Sequence, residues 1–199
     1  MIEIEKKFHL TAEQEKKLLD GAEFIKEKHI NDVYFDNSKH DLTCQDWWLR
    51  KRNGQFELKT AIPNDDKHKI NQYIEINNEH QIRKKLNLKS LASLDEDLLI
   101  AGYHPFIACR TTRRTYHKQN FIIDLDIVEY DSDITYIVAE IELQVESENQ
   151  IPEAKEKIFA FAKQHQLADE QVRGKIIEYL RQKRPEHYKA LLNAEVIKE

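Results

Sequence analysis

Charged side chains recur at every second position in one short run of this sequence after another. Glu3, Glu5 and Lys7 share a parity near the N-terminus, Arg50 and Arg52 share one further on, and Glu57 stands two before Lys59. Glu75, Arg113, the pair Asp124 and Asp126, and the pair Glu140 and Glu142 sit in similar apolar surroundings. In an extended strand successive side chains point to opposite faces, so each run presents its charges on one side and residues such as Ile2, Ile4, Leu49, Leu58, Ile123 and Ile141 on the other. Carboxylates without histidine or cysteine among them suit hard divalent cations, Mg²⁺ or Mn²⁺, rather than zinc. Arginine forks and lysines suit phosphate oxygens. Acids for a metal and bases for a polyanion, if they converge, make a site for a metal-bound polyphosphate.

Convergence requires a sheet closed on itself. An open antiparallel sheet would simply turn these faces to water. Here the polar faces carry almost no Ser or Thr, and several amphipathic helices need apolar surface to pack on, which the outer faces of a closed barrel supply. Strands are expected at 2–8, 32–36, 44–52, 55–61, 69–77, 106–117, 119–128 and 134–146. A capping box, Thr11-Ala12-Glu13-Gln14, opens a helix expected to run to about Lys28. Further helices are expected at 79–87 and 90–101, with a C-terminal helical set from about residue 152 at 152–165, 168–183 and 186–197, where Pro152 and Pro185 suit helix starts. The fold class is therefore α+β, a closed antiparallel β-barrel with a charged lumen and helices outside. Asn53-Gly54 is a two-residue hairpin signal that pairs Arg52 with Gln55, Arg50 with Glu57 and Trp48 with Lys59, all six on one face. A similar turn around Lys118-Gln119 would set Arg113 across from Asp124.

Composition narrows the remaining choices. The 199 residues carry 31 Lys+Arg against 36 Asp+Glu, a net charge of −5, which disfavours nucleic acid or an anionic membrane as the main partner. With only 4 Gly, neither a P-loop nor a dinucleotide-binding glycine pattern can be written. Cys44 and Cys109 are too few for a disulfide scaffold and fit reduced thiols in a cytoplasmic protein. No apolar run reaches the ~18 residues of a membrane span. The 9 histidines show no metal-ligand spacing and read as structural or surface groups. Nothing marks an internal boundary, so residues 1–199 read as one domain.

Glu3-Ile4-Glu5-Lys6-Lys7 is an E-x-E-x-K strand and resembles the signature of the CYTH superfamily, the triphosphate tunnel metalloenzymes. The match is reinforced in the same order by L-R-x-R at 49–52, E-L-K at 57–59, D-L-D at 124–126 and E-I-E at 140–142. Asp46-Trp47-Trp48-Leu49-Arg50-Lys51-Arg52, Lys175-Ile176-Ile177-Glu178-Tyr179-Leu180 and Arg184-Pro185-Glu186-His187-Tyr188 are similar to segments of the thiamine triphosphatase branch. The resemblance implies that Lys7, Arg50, Arg52, Lys59, Arg113 and Lys175 hold a triphosphate. It likewise implies that Glu3, Glu5, Glu140 and Glu142, with Asp126, organise Mg²⁺ or Mn²⁺, while Glu57, Glu75 and Asp124 orient the cations. Glu5, Lys7 and Lys59 are placed nearest the reaction, and Trp48 and Tyr34 beside the organic group. The expected activity is hydrolysis of the terminal phosphate of thiamine triphosphate. Inorganic triphosphatase, class IV adenylyl cyclase and a non-catalytic polyphosphate- or nucleotide-binding module are the alternatives. The expected partner is a small-molecule triphosphate, with neither nucleic acid nor membrane, and the expected state is a monomer.

Overall fold

The computed structural model describes residues 1–62, 70–130 and 134–198. Eight strands close into an antiparallel barrel. They are β1 (Ile2–Phe8), β2 (Glu23–Asp36), β3 (Trp47–Arg52), β4 (Gln55–Ala61), β5 (Asn71–Ile76), β6 (His104–Lys118), β7 (Phe121–Tyr130) and β8 (Thr135–Val145), in spatial order β1-β5-β4-β3-β2-β6-β7-β8. Closure leaves the apolar faces outward, where helices cover them. Against β1, β7 and β8, Ile4, Ile123 and Ile141 pack on Leu18 of α1 (Ala12–Leu19) and on Ile158 and Phe161 of α4 (Ile151–Gln164). Against β3 and β4, Leu49, Phe56 and Leu58 meet Ile82 of α2 (Glu79–Lys85) and Leu94 and Leu98 of α3 (Leu94–Ile100). Each of these leucines and isoleucines contributes about 1.5–3 kcal/mol by leaving water. Lys51, the one cation on that outer face, is held by Asp95 at 2.7 Å. A third apolar cluster joins Tyr34, Trp48 and Tyr130 to α5 (Lys175–Lys183) and α6 (Pro185–Asn193).

The Asn53-Gly54 turn sets the register it specifies, with Arg52 opposite Gln55, Arg50 opposite Glu57 and Trp48 opposite Lys59. Elsewhere tertiary pairing overrides local pattern. Helix α1 keeps its capping box but stops at Leu19 instead of near Lys28. Gly21 at φ +69° turns the chain, and residues from Glu23 become the start of a strand expected only from 32, because β6 offers them a partner from His117 to His104. Phe24 and Ile25 stay 54% and 47% exposed on this arm, so pairing rather than burial dictates its state. The strand expected from residue 44 begins at Trp47, since Thr43–Gln45 is a 3-10 turn ended by Asp46 at φ 58°. Residue 69 of the expected strand 69–77 lies outside the described residues. The β6–β7 turn falls on Gln119-Asn120, one position later than expected, so Arg113 stands opposite Asp126 rather than Asp124. The helix expected over 168–183 begins at Lys175. Residues before it run across the barrel without helical structure, tied down where the Tyr136 and Tyr130 hydroxyls donate to the carbonyls of Arg173 and Lys175, both at 2.6 Å.

Candidate active site

The inward side chains surround a cavity of about 280 Å³. Every cation on its strand walls is gripped by carboxylates from neighbouring strands. Lys59 Nζ lies 2.7 Å from Glu3, 3.2 Å from Glu75 and 3.7 Å from Glu5. Lys7 is paired with Glu5, reaches Glu140 at 3.6 Å and donates to Asn71 Oδ1 at 3.2 Å. Arg50 donates from Nε to Glu57 at 2.8 Å and lies 3.5 Å from both Glu75 and the Tyr34 hydroxyl. Arg113 forks onto Asp126 with two contacts of 2.6 Å, while its terminal nitrogens also reach Asp124 at 2.5 Å and Glu140 at 2.8 Å.

Asp32 carries the remaining group, and sequence reasoning overlooked it. It is almost fully buried and accepts both arms of the Arg52 fork at 2.8 and 3.0 Å together with Lys175 Nζ at 2.8 Å. Lys175 also donates to Thr111 Oγ1 at 3.1 Å, so the first residue of α5 is stitched to both β2 and β6. The parity shared by Asp32 and Tyr34 was the available signal. These cations and their neighbours hold Asp32 far below the ordinary carboxylate range despite burial.

The acids divide into two sets by position. Glu3, Glu5, Glu75, Glu140 and Glu142 line the cavity; Glu57, Asp124 and Asp126 sit behind the arginines they grip, Asp126 only 1% exposed. Among the described residues, the inward strand faces and Lys175 bring nine carboxylates against six cations, a surplus of three. Such crowding shows in the protonation of the acids. Burial pushes Glu142 up to about 6, with Glu5 adding to the rise and the Gln144 amide opposing it. Glu3 is driven up to about 9 by burial, against the pull of Lys59 and with the push of Glu5. Burial opposes ionisation of Glu5 too, but Lys7 and Lys59 outweigh it and hold that carboxyl well below its usual range. Neither histidine nor cysteine is among the described lining residues. An all-oxygen donor set with unneutralised acid fits a hard divalent cation.

Tyr34 and Trp48 also line the cavity. The Trp48 ring is fixed by its Nε1 donating to Asp46 at 2.8 Å, and the same carboxylate accepts from the Tyr73 hydroxyl at 3.0 Å.

Away from the cavity, the fold brings Asp36, His40 and His187 together, with one potential ligand atom of each within 4.8 Å of the others. No sequence spacing announces this group. Asp36 already accepts four hydrogen bonds, from the amides of Asn37, Leu42 and Thr43 and from the Thr43 hydroxyl. The two imidazoles lie stacked at 3.6 Å, so their in-plane lone pairs do not point at a common centre. The group is a buried junction between the end of β2 and α6.

An eight-stranded barrel whose inward acids and bases meet in one cavity is matched along residues 1–174 by the model of the CYTH domain. The chain belongs to the CYTH family. It is 28% identical over 211 residues to the thiamine-triphosphatase of Homo sapiens, covering 96% of this chain and 90% of that protein. The Macaca fascicularis thiamine-triphosphatase is likewise 28% identical, over 209 residues. A solved protein of Pyrococcus horikoshii superposes with TM-score 0.64 at 26% identity, covering 92% of this chain and 99% of its own. A Hippeastrum structure, described as revealing a dominant triphosphatase activity, shares the fold at TM-score 0.54 and 17% identity over 91% of this chain and 95% of its own. This CYTH chain has, among its described residues, no helix long and apolar enough to cross a membrane, and Cys44 and Cys109 are both free.

Proposed function

We propose that this protein is a metal-dependent triphosphatase that removes the terminal phosphate of a triphosphorylated small molecule, with thiamine triphosphate as substrate and Mg²⁺ or Mn²⁺ as metal. The observation that carries the reading is the convergence of Lys7, Arg50, Arg52, Lys59, Arg113 and Lys175 with a surplus of carboxylates in one lumen. Glu3, Glu5, Glu140 and Glu142 are the residues to hold the metal. Asp126, though committed to Arg113, is kept as a further candidate. A bound divalent ion would draw charge from phosphate oxygens and polarise the terminal phosphorus.

The protein groups contribute in distinct ways. The two arginine forks at Arg50 and Arg52 come from the same face of one strand, with only Lys51 between them, spaced to follow successive phosphates. Lys7 and Lys59 share Glu5 between them, so exchange of that carboxylate for phosphate oxygens frees two ammonium groups at once. Glu57, Asp124 and Asp126 keep Arg50 and Arg113 in place, which means the cations need little reorganisation as charge builds on the departing phosphate. Glu5, Lys7 and Lys59 are then the groups assigned to the reacting phosphate.

The choice of thiamine triphosphate is supported by the human and macaque relatives and by Trp48, whose ring is anchored beside the phosphate-binding hairpin. A cation over an indole face gains about 0.5–2 kcal/mol, roughly two- to thirtyfold in binding. Trp48→Ala is therefore expected to lower kcat/KM for thiamine triphosphate by about that factor and to leave tripolyphosphate, which has nothing to stack, nearly unchanged. Steady-state kinetics of both substrates on one preparation check it. Equal losses, or a wild-type preference for tripolyphosphate by orders of magnitude, would point to an inorganic triphosphatase instead.

A further inference from the structure

Six cations of the lumen are bound by carboxylates. Arg173, which lines the same cavity, is different. Its guanidinium has no carboxylate within 4.0 Å among the described residues, and its one hydrogen-bond partner there is a neutral group, the Tyr188 hydroxyl, 3.2 Å from Nε. Its carbonyl accepts from the Tyr136 hydroxyl at 2.6 Å. Two tyrosines thus hold this arginine from β8 and α6 while leaving its terminal nitrogens without a direct ion pair among the described residues, the acid whose charge it feels being Glu178 of α5, which is itself bound by Arg181. The next residue, Gly174, runs close enough to β1 that a Cβ there would stand 3.6 Å from Lys7 Cε, and Lys175 after it reaches Asp32. Gly174 and Lys175 therefore run across the lumen between β1 and β2, with Arg173 lining it immediately before them.

We infer that Arg173 is a phosphate-recognising residue of this site, taking an oxygen of the bound polyphosphate through its terminal nitrogens. The inference rests on the reading of the lumen as a triphosphate site and adds a contact from the irregular segment before α5. Its physical basis is the charge balance. A polyphosphate entering the lumen must share or displace carboxylates at the strand cations, whereas Arg173 gains an anion with no direct ion pair to break. A cation outside any direct ion pair also draws the polyanion in, an attraction that weakens with salt.

Tripolyphosphate is the probe, with Mg²⁺, on the full chain and on Arg173→Gln, Arg173→Lys and Tyr188→Phe. Arg173→Gln should raise KM about tenfold, the scale of one charge-assisted hydrogen bond, with kcat within about threefold of wild type. Arg173→Lys should recover most of the loss. Tyr188→Phe, which removes the anchor and keeps the charge, should change KM much less, and the Arg173→Gln deficit should shrink as salt is raised. Calorimetric binding of tripolyphosphate to each protein separates the two levels of the argument. A wild type that binds no tripolyphosphate overturns the site and this residue together; a wild type that binds it, with Arg173→Gln indistinguishable or with Tyr188→Phe reproducing the whole loss, overturns the role of Arg173 alone.

Discussion

Arg113→Ala is expected to cost about 10²–10³ in kcat/KM, the scale seen when a preorganised donor to a developing negative charge is removed. It is also expected to lower stability by about 3–5 kcal/mol, because removing one partner of a buried ion pair leaves the others uncompensated. Three acids depend on this one guanidinium. Asp126 takes two of its contacts, and Asp124 and Glu140 one each, all within 2.8 Å. Thr115 still donates to Asp124 at 2.6 Å and Lys7 still faces Glu140, but Asp126 is left buried with no cation. The orphaned carboxyls escape the penalty by taking up protons, so the destabilisation should shrink as the pH falls. Urea midpoints at pH 7.5 and pH 5 read this directly. Arg113→Lys, a point charge in place of a fork, should fall between the two. Wild-type stability in Arg113→Ala would contradict the caged arrangement.

Adding Mg²⁺ is expected to stabilise the protein, and by more at high pH than at low. Glu142 and Glu3 have folded-state values near 6 and 9, above the ordinary 4.5 of a glutamate. A carboxyl raised in this way favours the folded state while protonated, and that contribution is lost as the pH climbs from about 4.5 through the raised value. Without metal, stability should therefore decline between about pH 4.5 and 9, with Glu142 and Glu3 contributing alike up to about pH 6 and Glu3 alone beyond it. A divalent cation among these oxygens neutralises the charge that burial penalises, and it competes with the protons that occupy them at lower pH. At Mg²⁺ near a hundred times its Kd the stabilisation is about 2.7 kcal/mol, or roughly 5–11 °C in Tm for a chain of this size. Thermal unfolding at pH 6 and pH 8.5, with EDTA and with Mg²⁺, gives the comparison. A Tm shift that is the same at both pH values, or absent at both, would contradict the assignment of the acids to metal.

How much of this was legible beforehand follows from which interactions are local. Period two is local, so the inward sets Glu3-Glu5-Lys7, Arg50-Arg52 and Glu140-Glu142 could be read from parity alone, and Asn53-Gly54 fixed a register because its turn type is local too. Closure followed from the need of helices such as α4 for the apolar faces of β1 and β8. Residues 23–28 were expected as helix because their pattern continues it, and only β6, some ninety residues on, makes them a strand. The β6–β7 turn carries no glycine, and a one-residue displacement moved the partner of Arg113 by two. Asp32 was readable by the same parity as Tyr34. Arg173 was not, since an irregular segment has no period, and its place depends on two tyrosine hydroxyls from distant elements. His40 and His187 meet through folding, 147 positions apart, which no spacing rule reaches.

The central claim is that acids and bases of one lumen act together, through a divalent ion, on a terminal phosphate. Following thiamine triphosphate by ³¹P NMR with the chelator-stripped protein, before and after Mg²⁺ is restored, tests it most directly. No turnover is expected under excess EDTA and, on adding Mg²⁺, one orthophosphate and one thiamine diphosphate for each substrate consumed. Full turnover under EDTA, or release of pyrophosphate in place of orthophosphate, would contradict it.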